Sequence, residues 1–154
     1  MRFQVHLNSI LLLALFALAL PACASSFDDK VVDQQTINAL ELRASQAQPR
    51  EQCFLYAELV HEMIEYSAKQ YAAGDAEKAT GLLKHAQELI HKIHLALSDD
   101  NKRLKNAQIL LRHTAFRLTE LLHSSSFEDR PLVQQTLAEV NQAQNEAMLQ
   151  VFKK

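Results

Sequence analysis

Apolar residues recur at alternating steps of three and four along most of the chain. Between about residues 50 and 73 the stripe is Cys53, Ala57, Val60, Met63, Ile64, Ser67 and Tyr71. With 3.6 residues per turn, that spacing puts the side chains on one face of an α-helix. A second stripe, from Ala79, Leu82 and Leu83 to Ile93 and Leu97, predicts a helix over about 76–97. A third, Leu104, Ala107, Leu111, Ala115, Leu118, Leu121 and Leu122, predicts one reaching about Ser124. A fourth runs from Val133 and Leu137 to Met148 and Val151, and its other faces are rich in Gln and Asn. A thinner stripe of Val32, Ile37, Leu40 and Ala44 predicts a short first helix over about 29–46. Pro49 ends it, because the residue before proline avoids the α region. No segment alternates with period two for long enough to form a strand.

The breaks between stripes have their own chemistry. Gly74 stands where a left-handed C-terminal residue belongs, and Asp75 can cap the helix that follows. Ser98-Asp99-Asp100-Asn101 is a polar turn with several possible N-caps. Starting a helix there places Lys102, Arg103 and Lys105 in its first turns, against the preference of the helix dipole. Ser124, Ser125 and Ser126 interrupt the pattern, and Pro131 fits a first helical turn. Connections of about two to six residues favour consecutive helices as antiparallel neighbours. The expected fold is all-α: an up-down antiparallel bundle of four long helices plus a short N-terminal one, in a single domain over residues 25–154. A stack of helical hairpins is the alternative.

Composition narrows the function. The 154 residues include only two Gly, against about 7% in average proteins. Phosphate-cradling loops and multi-hairpin β folds use glycine repeatedly, so both are disfavoured. Gly81 falls inside the third predicted helix, on its outer face. A net charge of −2 gives no footprint for a polyanion, so no nucleic-acid partner is expected.

The first 24 residues read as a signal peptide. Arg2 supplies a positive start, Ile10 to Leu20 is an uncharged apolar run, and Pro21 breaks it. Ala22-Cys23-Ala24 matches the small-x-small cleavage rule. The apolar run rises about 16 Å as helix, short of a hydrocarbon core of about 30 Å. A transmembrane anchor is therefore disfavoured, and the protein is expected in the periplasm or outside the cell. Leu20-Pro21-Ala22-Cys23 also resembles the lipobox of bacterial lipoproteins, which would lipidate Cys23 and tether the chain to a membrane. Cleavage after Ala24 leaves Cys53 without an internal disulfide partner, as a small apolar residue on a helix face.

The sharpest chemical pattern is Glu-x-x-His, at Glu58/His61, Glu88/His91 and Glu120/His123. Di-iron bundles use this spacing because i and i+3 side chains project together. A heptad assignment, however, points all three pairs away from the core. A surface metal site on Glu88, His91 and His94 is the remaining metal reading, since carboxylate and imidazole suit Zn, Cu or Ni. No cofactor and no catalytic residue is expected. The acids are spread singly, and Cys53 lies on an apolar stripe. Tyr56, Tyr66 and Tyr71 read as core or rim packing. Lys102, Arg103, Lys105, Arg112 and Arg117 read as a solvated basic face balanced by Asp99, Asp100 and Glu120.

Residues 60–93 resemble a tetratricopeptide-repeat hairpin. Gly74-Asp75, Glu77-Lys78-Ala79, Leu83 and Ala86 fall at that motif's spacing, with Ser67 as the small residue of its first helix. The resemblance implies close helix nesting and, for an array, a peptide-binding groove. Met63 and His91 depart from the motif, at its Trp and Pro positions. The chain also resembles small exported helical proteins of soil bacteria, through the stretch from Arg103-Leu104-Lys105-Asn106-Ala107 to Phe152. That resemblance implies export and no particular activity. These readings lead to a non-enzymatic envelope protein acting by helix-mediated binding to a protein or to a second copy of itself, with a periplasmic metal-binding protein as the alternative. The mature chain is expected to begin at Ser25, which the intact mass of the purified protein checks. A mass that includes acyl chains on Cys23 would establish the lipoprotein instead.

Overall fold

A computed structural model describes residues 32–98 and 100–153. The expected signal peptide with Ala22, Cys23 and Ala24, the start of the first predicted helix and Asp99 lie outside the described residues. The chain folds as five helices: α1 (Gln34–Gln46), α2 (Pro49–Ala72), α3 (Ala76–Ala96), α4 (Leu104–Ser124) and α5 (Arg130–Phe152). The all-α expectation is met, and the five helices pack within one compact unit.

Local chemistry sets most of the boundaries. Asp33 caps α1 by accepting from the Thr36 N–H at 2.7 Å, and these bonds hold its carboxyl below the usual value. Pro49 not only ends α1 but opens α2 as its first residue. Gly74 takes φ +82° at the end of α2. The N–H groups of Gly74 and Asp75 then donate to the Tyr71 and Gln70 carbonyls, at 3.0 and 2.9 Å. This is a Schellman closure, and it satisfies carbonyls that a helix end leaves bare. Asp75 in turn caps α3 by accepting from Lys78 N–H.

The start of α4 differs from expectation. Ser98, Asp100 and Asn101 do not cap it. The Asn101 amide donates to the Ala96 carbonyl at 2.8 Å and accepts from the Ser98 hydroxyl. Lys102 N–H donates to the Arg50 carbonyl at 2.8 Å. The connection is thus tied to the end of α3 and the start of α2, and the helix begins only beyond it. Its N-cap is Arg103, left-handed at φ 59° and with no side-chain cap bond. Lys102 and Arg103 therefore precede the helix rather than loading its first turn.

α2 packs against α1, α3 and α4, while α5 packs against α3 and α4. α3 and α4, although consecutive, do not pack on each other. Two antiparallel hairpins, α2–α3 and α4–α5, lie side by side. Contacts run from Lys102 to Glu51 near the starts of α4 and α2, and from Arg117 to Glu65 near their ends. Like helices of the two hairpins are therefore parallel. One register relates them: buried Cys53, Ala57, Val60, Ile64 and Ser67 recur 54 residues later as buried Ala107, Leu111, Thr114, Leu118 and Leu121. Ala79, Leu82, Ala86, Leu89 and Ile93 recur likewise as Val133, Thr136, Val140, Ala143 and Ala147.

The central position of α2 explains a further difference. Its buried residues include Phe54, Tyr56, Leu59 and Tyr66, beyond the single expected stripe. Ser67, Ala79 and Ala86 are fully buried. Ser67 donates its hydroxyl to the Ala79 carbonyl at 3.0 Å, which fixes the α2–α3 approach.

Gly81 lies exposed on α3, and a Cβ there would meet nothing within 4 Å. Gly81→Ala is expected to stabilise the fold by up to about 1 kcal/mol. Gly74→Ala is expected to destabilise it by about 1–2 kcal/mol, because its φ strains any Cβ. Thermal denaturation of both variants should give shifts of opposite sign.

Candidate functional site

The structure disperses the Glu-x-x-His pairs. Glu88 and His91 are exposed on α3. Glu120 and His123 are exposed on α4, where Glu120 bonds Arg117 and His123 Nδ1 lies 2.6 Å from the Thr119 carbonyl. The third pair is not on an outer face. Glu58 is ion-paired to Arg43 of α1, and His61 reaches Thr114 of α4 at 3.1 Å. Since α2 has neighbours on three sides, its edge positions are drawn into the joints between helices. Thr114 donates its proton to the Leu110 carbonyl, so His61 Nδ1 carries the hydrogen toward the threonine oxygen. A matching bond joins the other helices: Gln87 donates to Thr136 Oγ1 at 3.1 Å, and Thr136 donates to the Leu132 carbonyl.

His94 is turned to Glu146 of α5 instead of joining Glu88 and His91. Hydrogen bonds from Gln142 and His94 hold the Glu146 carboxyl below its usual range. Among the described residues no three His, Cys, Asp or Glu side chains gather to hold a metal ion.

The tyrosines are packing residues. Tyr56 and Tyr66 are buried, with Lys92 and Lys78 over their rings. The Tyr71 hydroxyl is buried without a hydrogen-bond partner. Burial, with the Asp129 charge second, pushes its pKa up to about 12. Cys53 is a buried free thiol, pushed up to about 11 by desolvation.

Glu120 balances Arg117 as expected, but other carboxylates also take part. Lys102 pairs with Glu51 at 3.1 Å, and Arg117 pairs with Glu65 and Glu120. Most of the compensation comes from α2, the parallel neighbour, because the two helices run in register. Arg103 pairs with no carboxylate among the described residues: its guanidinium lies over the Phe54 ring, 3.5 Å from the centroid.

That stacked pair divides two clefts. One, of about 430 Å³, opens between the end of α1, the first turns of α2 and the α3–α4 connection. Arg43, Glu51, Phe54, Leu55, Lys102 and Arg103 line it. The other, of about 370 Å³, lies along α2 and α4 and reaches Glu58, His61, Glu62 and Ile109. The first cleft combines three cations with apolar side chains. Arg43 and Phe54 carry no motif in the sequence. They meet Arg103 only because the α3–α4 connection returns to the start of α2. The chain matches no family model, no curated protein and no solved structure in the comparisons with known proteins.

The Cys53 shift sets a pH dependence. Its folded pKa lies above the unfolded value of 9.0, so the unfolded chain releases the proton first as pH rises. The stability that the buried thiol contributes is full below about pH 9 and is lost on the way to about pH 11. The gap in urea midpoint between wild type and Cys53→Ala is expected to be constant at neutral pH and to narrow across that interval.

Proposed function

We propose that this chain is a non-enzymatic, exported helical protein of the bacterial cell envelope that acts by helix-mediated protein–protein binding. The observation that carries the binding half is a row of large apolar side chains left in water. Leu95, Leu149 and Phe152 are 74%, 61% and 79% exposed. Leu95 and Leu149 are separated by the same 54 residues that relate the hairpins. They therefore stand at equivalent places on the parallel helices α3 and α5, close to the His94–Glu146 contact. Phe152 follows Leu149 by three residues and shares its side of α5. An apolar row at one end of a stack favours a partner that offers an apolar surface of its own. α1, by contrast, has its apolar residues Ile37, Leu40 and Ala44 buried.

The apolar run Ile10–Leu20 and the small residues Ala22 and Ala24 support export. Among the described residues, no helix is long and apolar enough to cross a membrane. Attachment through Cys23 is the other route to the envelope.

A photo-crosslinking residue at Leu149, introduced in cells, is expected to give a discrete protein adduct. The adduct should disappear when Leu95→Asp is added. A second copy of this chain and a different protein are both consistent with the reading, and the adduct mass separates them. The same residue at Gln134, exposed on α5, serves as the control. Equal yields from the two positions would overturn the reading.

A further inference from the structure

We infer that the cleft between α1, the start of α2 and the α3–α4 connection binds a small organic anion with an apolar body, such as an aromatic carboxylate. Arg43, Lys102 and Arg103 converge on it, above Phe54 and Leu55. Its volume of about 430 Å³ falls within the roughly 300–1,000 Å³ range of small-molecule pockets.

Arg103 is the most informative of these residues. Among the described residues it is the one non-glycine residue with positive φ, at 59°. Such a backbone persists only where its surroundings hold it. Stacking on Phe54 orients the guanidinium by its flat face. The N–H donors at the guanidinium edge then make no hydrogen bond or ion pair among the described residues. A stacked, pre-oriented guanidinium is well suited to a carboxylate, which it can meet with two parallel hydrogen bonds.

The other two cations are engaged, but loosely. Lys102 pairs with Glu51 at 3.1 Å, with both side chains more than 40% exposed. Exposed pairs of this kind are weak, so an incoming anion can take Lys102 over. Arg43, also exposed, is held on the other side by Glu58. Glu51 lines the same cleft and opposes an anion. The balance of the lining is nevertheless positive, three cations against one carboxylate, and beside them Leu55, Ala47 and the rim of Phe54 give an apolar floor. A bare inorganic ion would leave that floor unused. An apolar cation or a neutral hydrocarbon would leave the guanidinium edge unused.

The experiment uses the full mature chain and 2-naphthoate as probe, with 2-naphthol as its neutral counterpart. The protein has no Trp, so naphthalene fluorescence can be followed directly. Saturable 1:1 binding of naphthoate is expected, with naphthol at least about tenfold weaker. Arg103→Gln and Lys102→Gln should each weaken naphthoate by about three- to tenfold. Lys105→Gln, an exposed cation outside the cleft lining, should leave binding unchanged. Glu51→Gln should tighten binding, an outcome that a merely structural role for Glu51 would not produce. Lys102→Gln and Glu51→Gln keep the test decisive if the left-handed position does not tolerate Arg103→Gln. Equal binding of naphthol and naphthoate, no saturable binding below about 1 mM, or variants of Lys102 and Glu51 that bind like wild type would overturn the inference.

Discussion

Burying α2 on three sides is the constraint from which the rest of the structure follows. Leu59, Val60, Met63 and Ile64 have no accessible surface, and consecutive positions of that kind cannot face one neighbour. They need α3 on one side, α4 on another and α1 on a third. The α3–α4 connection must then carry the chain from the end of α3 back to the beginning of α2. That return places Asn101 under the α3 terminus, ties Lys102 N–H to Arg50 and brings Arg103 over Phe54. Each feature of the candidate cleft is a consequence of how α2 is enclosed.

The same enclosure accounts for a difference in composition between the two hairpins. Several positions that are buried in the first hairpin and lie outside the shared stripe become polar in the second. Leu59, Met63, Tyr66 and Ile90 correspond to His113, Arg117, Glu120 and Gln144 at the 54-residue register. A stacked hairpin whose far side faces water needs a polar face there. α4 and α5 supply one, and α1 covers α2 from the other direction. Core volume is redistributed in the same step: Leu89 and Ile93 of α3 correspond to Ala143 and Ala147 of α5, so large side chains of one hairpin sit in register with small ones of the other.

The helices were legible because a period of 3.6 reports the buried face directly, and the Gly74-Asp75 turn was legible because its conformation demands those residues. Periodicity does not report how many neighbours a helix has. Phe54 and Leu59 therefore fell outside the expected stripe, and Glu58/His61 looked solvated. The α2–α3 hairpin was visible at residues 60–93, but its counterpart was hidden. The second hairpin repeats the first in burial and not in residue type, with Ser67 replaced by Leu121 and Val60 by Thr114. The start of α4 was misplaced because Asn101, a good cap by type, is occupied by Ala96 and Ser98. The cleft draws on three separate segments, so no local pattern announces Arg43, Phe54 and Arg103 together.

Thr114 and Thr136 carry one more implication. Apolar stripes repeat at every turn, so sliding one hairpin along the other by about 5.4 Å would again set greasy positions against greasy positions. Contact area alone barely distinguishes such shifted alignments. Each hydroxyl already gives its proton to its own helix, and its lone pair is met by His61 or Gln87 in one alignment. A slip of a single turn would break both of these bonds at once. The two threonines thus act as a vernier for the pair of hairpins, selecting one alignment from a ladder of nearly degenerate ones.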